Sequence, residues 1–204
     1  MIALIDYNAG NLTSVKKALA AIDADVFVPK GPDALRDARG IIVPGVGHFG
    51  ATRTLDAAWI EGVLERIGEG RPLLGICLGL HWLFEGSDEA PDVPGLALMP
   101  GRCYRLGDVR HQPDPSVKIP HVGWNTLSLE REATILDGIA DGAQVYFTHS
   151  YVAPLTSETV AVTEHGEPFT AVVQRANIAG VQFHPEKSGE VGLRILRNFL
   201  ELAG

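Results

Sequence analysis

Apolar positions change their period along this chain. In its first part, short continuous runs at Ile2–Ile5, Asp25–Val28, Gly40–Val43 and Pro72–Ile76 read as buried strands. Between the first two, Leu12, Val15, Leu19 and Ile22 recur at helical spacing, with Asn11 or Thr13 placed to cap the helix. Pro32–Ala38 reads as a short helical turn, 51–69 as one long helix and Leu78–Phe84 as another. Strands alternating with helices at this spacing imply a parallel sheet covered by helices. After Glu85 the texture changes. The stretch 86–100 is loop-rich, with Pro91, Pro94 and Pro100. Short β-like runs follow near 101–106, 116–119, 126–129, 144–148, 159–164, 169–173 and 180–183, and a helix returns only over 189–202. The expected fold is α/β: a central, mostly parallel sheet flanked by helices, with an antiparallel, β-rich second half packed on it. No repeat or linker divides the chain, so 1–204 is read as a single domain.

Composition narrows the class. The chain has 204 residues, 46% hydrophobic and 21% charged, with a formal net charge of −8. An acidic surface of this size argues against nucleic acid or an anionic membrane as the main partner. No apolar run is long enough to span a bilayer, and the N-terminus lacks the basic start of a secretion signal. Two cysteines, Cys77 and Cys103, do not make a disulfide framework. A cytoplasmic, reducing location is expected. Seven histidines and two separated cysteines show no zinc spacing, so no metal or organic cofactor is expected.

Candidate chemistry concentrates at Gly75-Ile76-Cys77-Leu78-Gly79, where a buried strand runs into a helix. Gly-x-Cys-x-Gly is the pattern of a nucleophile elbow with sulfur as the nucleophile. The following helix points N–H groups at the sulfur and favours its thiolate. A small apolar cysteine in a core strand is the bland alternative. The second candidate is His184-Pro185-Glu186. The turn can fold the carboxylate onto the imidazole, leaving the other ring nitrogen to take a thiol proton. Alone it could equally be a strand-end histidine beside a solvated acid. The third is Pro44-Gly45-Val46-Gly47, a strand-to-helix loop whose N–H groups, with that of Leu78, suit an oxyanion. His149-Ser150-Tyr151 places polar groups at a strand end and could hold a small polar substrate. His121 to Trp124 reads as an interface as readily as a core anchor. His48, His111 and His165 read as surface or loop histidines, and Cys103 as structural.

Together, the Cys77, His184–Glu186 and Pro44–Gly47 motifs resemble the class I (triad) glutamine amidotransferases. The runs Asp6–Val15, Pro120–Asn125, Tyr146–Tyr151 and Gln182–Ser188 are similar to those of glutaminase subunits of imidazole glycerol phosphate synthases. The resemblance spans the chain. It implies that Cys77 attacks the side-chain amide of glutamine, with His184 as base and Glu186 orienting it. Val46, Gly47 and Leu78 would form the oxyanion hole. Gly45, Gly79, His81, His149, Ser150 and Tyr151 would hold substrate. A γ-glutamyl thioester would be hydrolysed to glutamate. The ammonia would pass to a (βα)8-barrel cyclase subunit that makes imidazole glycerol phosphate and aminoimidazole carboxamide ribotide in histidine biosynthesis. Asn8, Asn11, His121, Trp124 and Lys187 would face that partner. A glutaminase serving another synthase, or a non-catalytic docking subunit, are the competing readings. One position departs from the family: His81 stands where a glutamine is usual. It shares a helix face with Cys77 and would donate to substrate with a shorter reach, implying weaker glutamine binding.

Overall fold

The computed structural model describes residues 1–9, 12–108 and 117–204. Asn11, His111 and the start of the run 116–119 lie outside them. The first half follows its hydrophobic pattern. Strand β1 (Ile2–Leu4) leads to helix α1 (Leu12–Ala20), then β2 (Val26–Phe27), a 3-10 turn (Pro32–Asp37) and β3 (Gly40–Gly45). The long helix expected over 51–69 is two elements instead. Phe49–Thr54 is a 3-10 segment, and α2 (Ala57–Gly68) starts afresh because the Asp56 carboxylate accepts from the N–H groups of Ala58 and Trp59. An aspartate in that position satisfies N–H groups that have no partner within the helix, and so fixes a helix start. Strand β4 (Leu73–Cys77) and helix α3 (Leu78–Leu83) then follow without an intervening residue.

The second half supplies β5 (Gly86–Ser87), β6 (Arg102–Arg105), β7 (His121–Thr126), β8 (Ser128–Leu129), β9 (Gln144–His149), β10 (Tyr151–Val152), β11 (Thr159–Glu164), β12 (Pro168–Arg175), β13 (Ile178–Val181) and helix α4 (Gly189–Ala203). Much of it extends the first half's sheet rather than packing on it. One eight-stranded sheet runs β2-β1-β3-β4-β13-β12-β11-β8. Pairings from β2 to β13 are parallel, and those from β13 to β8 antiparallel. Helix α3 can cover β13 closely because Gly180 has no side chain: a Cβ there would press on Leu80 and Leu83. Two small sheets, β10-β6-β5 and β7-β9, lie apart from the main one.

Alternation across the central strands divides the core. Leu4, Ile42, Leu74 and Ile76 pack with Val15 and Leu19 of α1 and with Ile195, Leu196 and Phe199 of α4. Ala3, Ile5, Ile41, Val43 and Leu73 pack with Val63 of α2 and Leu80 and Leu83 of α3 on the other face. Successive side chains of a strand point to opposite faces, so a fully apolar strand serves both layers.

Helix α3 lies so close to the sheet that a Cβ on Gly79 would overlap the Val43 carbonyl, and one on Gly75 would overlap the Gly79 carbonyl. Overpacking a rigid core typically costs about 1–3 kcal/mol and sometimes more. Gly79→Ala, meeting backbone rather than a movable side chain, is expected at or beyond the upper end, roughly 3 kcal/mol. Urea unfolding measures it; an unchanged midpoint would contradict this packing.

Candidate active site

In parallel α/β sheets the strand C-termini form a common edge where ligands bind. Here β3, β4 and β13 end together: Gly45 is level with Cys77, and Val181 with Ile76. Cys77 is the junction between β4 and α3, with φ 53° and ψ −103°. That backbone is strained for a residue with a side chain, and it is held because the strand and the helix on either side are wholly buried. The Gly45 position also needs glycine, because a Cβ would overlap the Tyr7 hydroxyl.

His184 follows β13 and caps a 3-10 turn, Pro185–Lys187. Its backbone is fixed on both sides. The His184 N–H donates to the Tyr146 carbonyl of β9 at 2.9 Å, and its carbonyl accepts from the Ser188 hydroxyl at 2.6 Å. Gly192 of α4 lets that helix press on the Pro185 carbonyl. The turn brings the Glu186 carboxylate to 2.8 Å from His184 Nδ1. A carboxylate only accepts, so Nδ1 carries the proton and Nε2 is left for the thiol. Nε2 and the second carboxylate oxygen of Glu186 are buried without a hydrogen-bond partner among the described residues. Burial opposes charge on this ring. The Cys77 sulfur and the Glu186 carboxylate favour it more strongly, and the balance pushes the His184 pKa up to about 10. The contact with sulfur is looser than a completed hydrogen bond, as is common for catalytic pairs before substrate arrives.

In front of Cys77 lies a cleft of about 310 Å³, at the small end of ligand sites. Val46, Gly47, Leu78, His81, His149, Ser150 and Tyr151 line it. Gly45 and Gly79 do not; they are packing positions, against Tyr7 and Val43. Three further lining residues, Glu89, Pro120 and Thr148, were missed. Glu89 sits in the loop-rich stretch, where no periodicity marks a side chain as inward. Its carboxylate accepts from the Phe49 N–H at 2.7 Å, which ties that stretch to the 3-10 segment after the Pro44–Gly47 loop.

Two histidine assignments change. His81 does not present a free donor. Its Nε2 is 2.8 Å from the Gln182 side-chain oxygen, and its Nδ1 is buried without a partner among the described residues. Burial holds its pKa down to about 4 despite the Gln182 bond, so the ring is neutral. His121, expected at an interface, is buried because β7 alternates: His121 points inward while Val122 and Trp124 are exposed. His121 Nδ1 is 3.0 Å from His149 Nε2, and His149 Nδ1 donates to the Tyr151 carbonyl at 3.1 Å. Burial and neighbouring histidines hold both rings' pKa values down, His121 to about 4. They form a neutral strut behind the Ser150–Tyr151 wall. Asn8, Trp124 and Lys187 are exposed, with the Lys187 ammonium 5.6 Å from the centre of the Tyr146 ring. His48 accepts from the Gly50 N–H and caps the 3-10 segment. Cys103 is wholly buried, which pushes its thiol pKa up. Among the described residues no cluster is arranged to hold a metal ion, and no helix is long and apolar enough to cross a membrane.

The family model for class-I glutamine amidotransferases matches residues 3–203. The chain belongs to that family. It is 44% identical over 203 residues to the imidazole glycerol phosphate synthase subunit HisH of Methanothermobacter thermautotrophicus, covering 99% of this chain and 98% of that protein. The HisH subunit of Thermococcus kodakarensis is 43% identical over 208 residues, covering 99% of this chain and all of the other. Among solved structures, a glutamine amidotransferase superposes over the full length of both chains with a TM-score of 0.75 at 20% identity. PurLQS from Thermotoga maritima gives 0.73 at 17% identity, over 98% of this chain and 97% of the other. At those identities the likeness is one of fold. Residue for residue, this amidotransferase groups with the HisH subunits.

The raised pKa of His184 has a consequence for stability. Its contribution is fully present below the unfolded value of 6.5 and is lost as pH rises through about 10. Glu186→Gln removes one cause of the shift. The variant should melt roughly 2–4 °C below the parent near pH 6.5, and the gap should close towards pH 10. A gap constant across that window would contradict the pairing.

Proposed function

We propose that residues 1–204 act as one glutaminase domain, the glutamine-hydrolysing subunit of a cytoplasmic imidazole glycerol phosphate synthase. The observation that carries this reading is the elbow at Cys77. The sulfur is held at the edge of an open cleft by a left-handed backbone, and the His184–Glu186 pair lies behind it.

The chemistry follows from those positions. The glutamine side chain enters the cleft with its amide carbon at the sulfur. The Glu89 carboxylate, the one acid among the lining residues, suits the α-ammonium. The thiol proton passes to His184, whose raised pKa retains it; the sulfur then attacks the carbon, and the carbonyl oxygen becomes an oxyanion. The N–H of Leu78 has no acceptor within its own helix, and with Val46 and Gly47 it supplies the oxyanion site. Gly47 has φ 96° and open space around its Cα, so the loop backbone can rotate there without a clash. Collapse of the intermediate breaks the C–N bond, and His184 gives its proton to the departing ammonia. Water then attacks the γ-glutamyl thioester, with His184 as base, to release glutamate and the free thiol.

Ammonia is worth confining only if a second active site receives it. The partner in this proposal is a (βα)8-barrel cyclase that closes the imidazole ring. Trp124 and Val122, exposed on β7, together with Asn8 and Lys187, form the face offered to it. Exposed aromatics beside a cation are typical anchors of such interfaces.

Cys77→Ala should abolish glutaminase activity, a loss of at least about 10⁴-fold, while a pull-down with the barrel subunit is retained. Activity surviving that substitution ends the catalytic reading. Ammonia release measured with and without the barrel subunit tests the partnership. A rate indifferent to the barrel would instead favour service to another synthase.

A further inference from the structure

Gln182 is wholly buried and sits between two polar side chains of the site. Its amide nitrogen donates to the Cys77 sulfur at 3.8 Å, and its amide oxygen lies 2.8 Å from His81 Nε2. Each end fixes the other. A sulfur that is to become negative needs a donor, which turns the NH2 towards Cys77 and the oxygen towards His81. An amide oxygen only accepts, so His81 must carry its proton on Nε2. The ring is buried, so it cannot swivel to water for another partner. The backbone agrees: the Gln182 N–H donates to the Ala171 carbonyl at 2.8 Å, which anchors the residue just beyond β13. The polar chain therefore runs one way, from the His81 N–H to the Gln182 oxygen and from the Gln182 N–H to the sulfur.

We propose that Gln182 is a positioning residue for the nucleophile and that His81 acts through it, orienting the Gln182 amide so that its N–H faces the sulfur. This rests on Cys77 being the nucleophile. It gives His81 a role other than that of a donor to substrate. The sulfur then has His184 to take its proton and Gln182 to hold the charge that remains. In a buried site a hydrogen bond to a charged atom is worth more than one between neutral groups. With His81 gone, the amide oxygen has no partner to hold it, and only the weaker contact with sulfur is left to set which end of the amide faces Cys77.

The test reads Cys77 directly. Alkylation by iodoacetamide is followed across pH by mass spectrometry of the peptide that carries Cys77, on the full chain. It requires no glutaminase activity and no partner, so its failure is distinct from failure of the glutaminase reading. Gln182→Leu should move the alkylation midpoint up by about one pH unit, the equivalent of a tenfold change in thiolate stability. His81→Leu should move it in the same direction, and the double variant no further than Gln182→Leu alone, because the two act as a unit. His81→Gln, which restores a donor to the amide oxygen, should bring the midpoint back towards the parent. In steady-state assays of the complex, His81→Leu should lower kcat by about tenfold with KM for glutamine changed less than about twofold. A midpoint unmoved by His81→Leu, with only KM raised, would make His81 a substrate ligand and overturn the proposal. Additive shifts in the double variant would overturn it too. If Gln182→Leu does not fold, Gln182→Met takes its place, and the contrast between His81→Leu and His81→Gln decides alone.

Discussion

At Cys77 the chain passes from a buried strand to a buried helix within one residue, with φ 53°. Backbone of this kind costs a side-chain-bearing residue about 1–3 kcal/mol, and the fold must supply that from packing on both sides. It does so with glycines. Gly75 and Gly79 let α3 lie against the sheet closely enough that their Cβ atoms would overlap backbone, and Gly180 makes room for Leu80 and Leu83 on β13. The close approach leaves the junction no way to relax. The sulfur is displayed because the turn is over-determined, and the neighbouring strand ends set what it faces.

The same logic places the base. His184 stands just past β13, the strand paired with β4, so it reaches the same sheet edge as Cys77. A proline, a serine hydroxyl and the β9 backbone then lock the turn that folds Glu186 onto the ring. Burial alone would discharge this imidazole. The Cys77 sulfur and the Glu186 carboxylate reverse that, and the raised pKa expresses the competition. His81 and His149 lie nearby without such partners, and there burial wins. Similar rings in one buried region thus hold opposite charge states according to what faces them.

The elbow, the His-Pro-Glu turn and the glycine loop were legible because each is a local pattern with a local cause. So were the central strands, whose continuous apolar runs serve two core layers. The break before α2 was less legible, because one capping aspartate outweighs a helical period. Strand β7 falls between the β-like runs expected near 116–119 and 126–129, because its pairing with β9 joins residues far apart in sequence. The continuation of the main sheet through β13 could not be read for the same reason. Nothing in the local sequence of Glu89 or Gln182 reports that the side chain faces the site, although Gln182 opens a run that carries the resemblance. Their meaning lies in contacts made across the fold, Glu89 with Phe49 and Gln182 with Cys77 and His81. His81 was legible as an exception, but its role depends on a residue about a hundred positions away.

A strained elbow, a base oriented by a carboxylate and an open cleft in front of the sulfur have one common product, a covalent intermediate on sulfur. Rapid acid quenching of the full chain with its barrel subunit during glutamine turnover, followed by peptide mass spectrometry, looks for that intermediate. One γ-glutamyl group on the peptide carrying Cys77 is the result expected. An unmodified Cys77 peptide throughout turnover, or the adduct on Cys103, would contradict it.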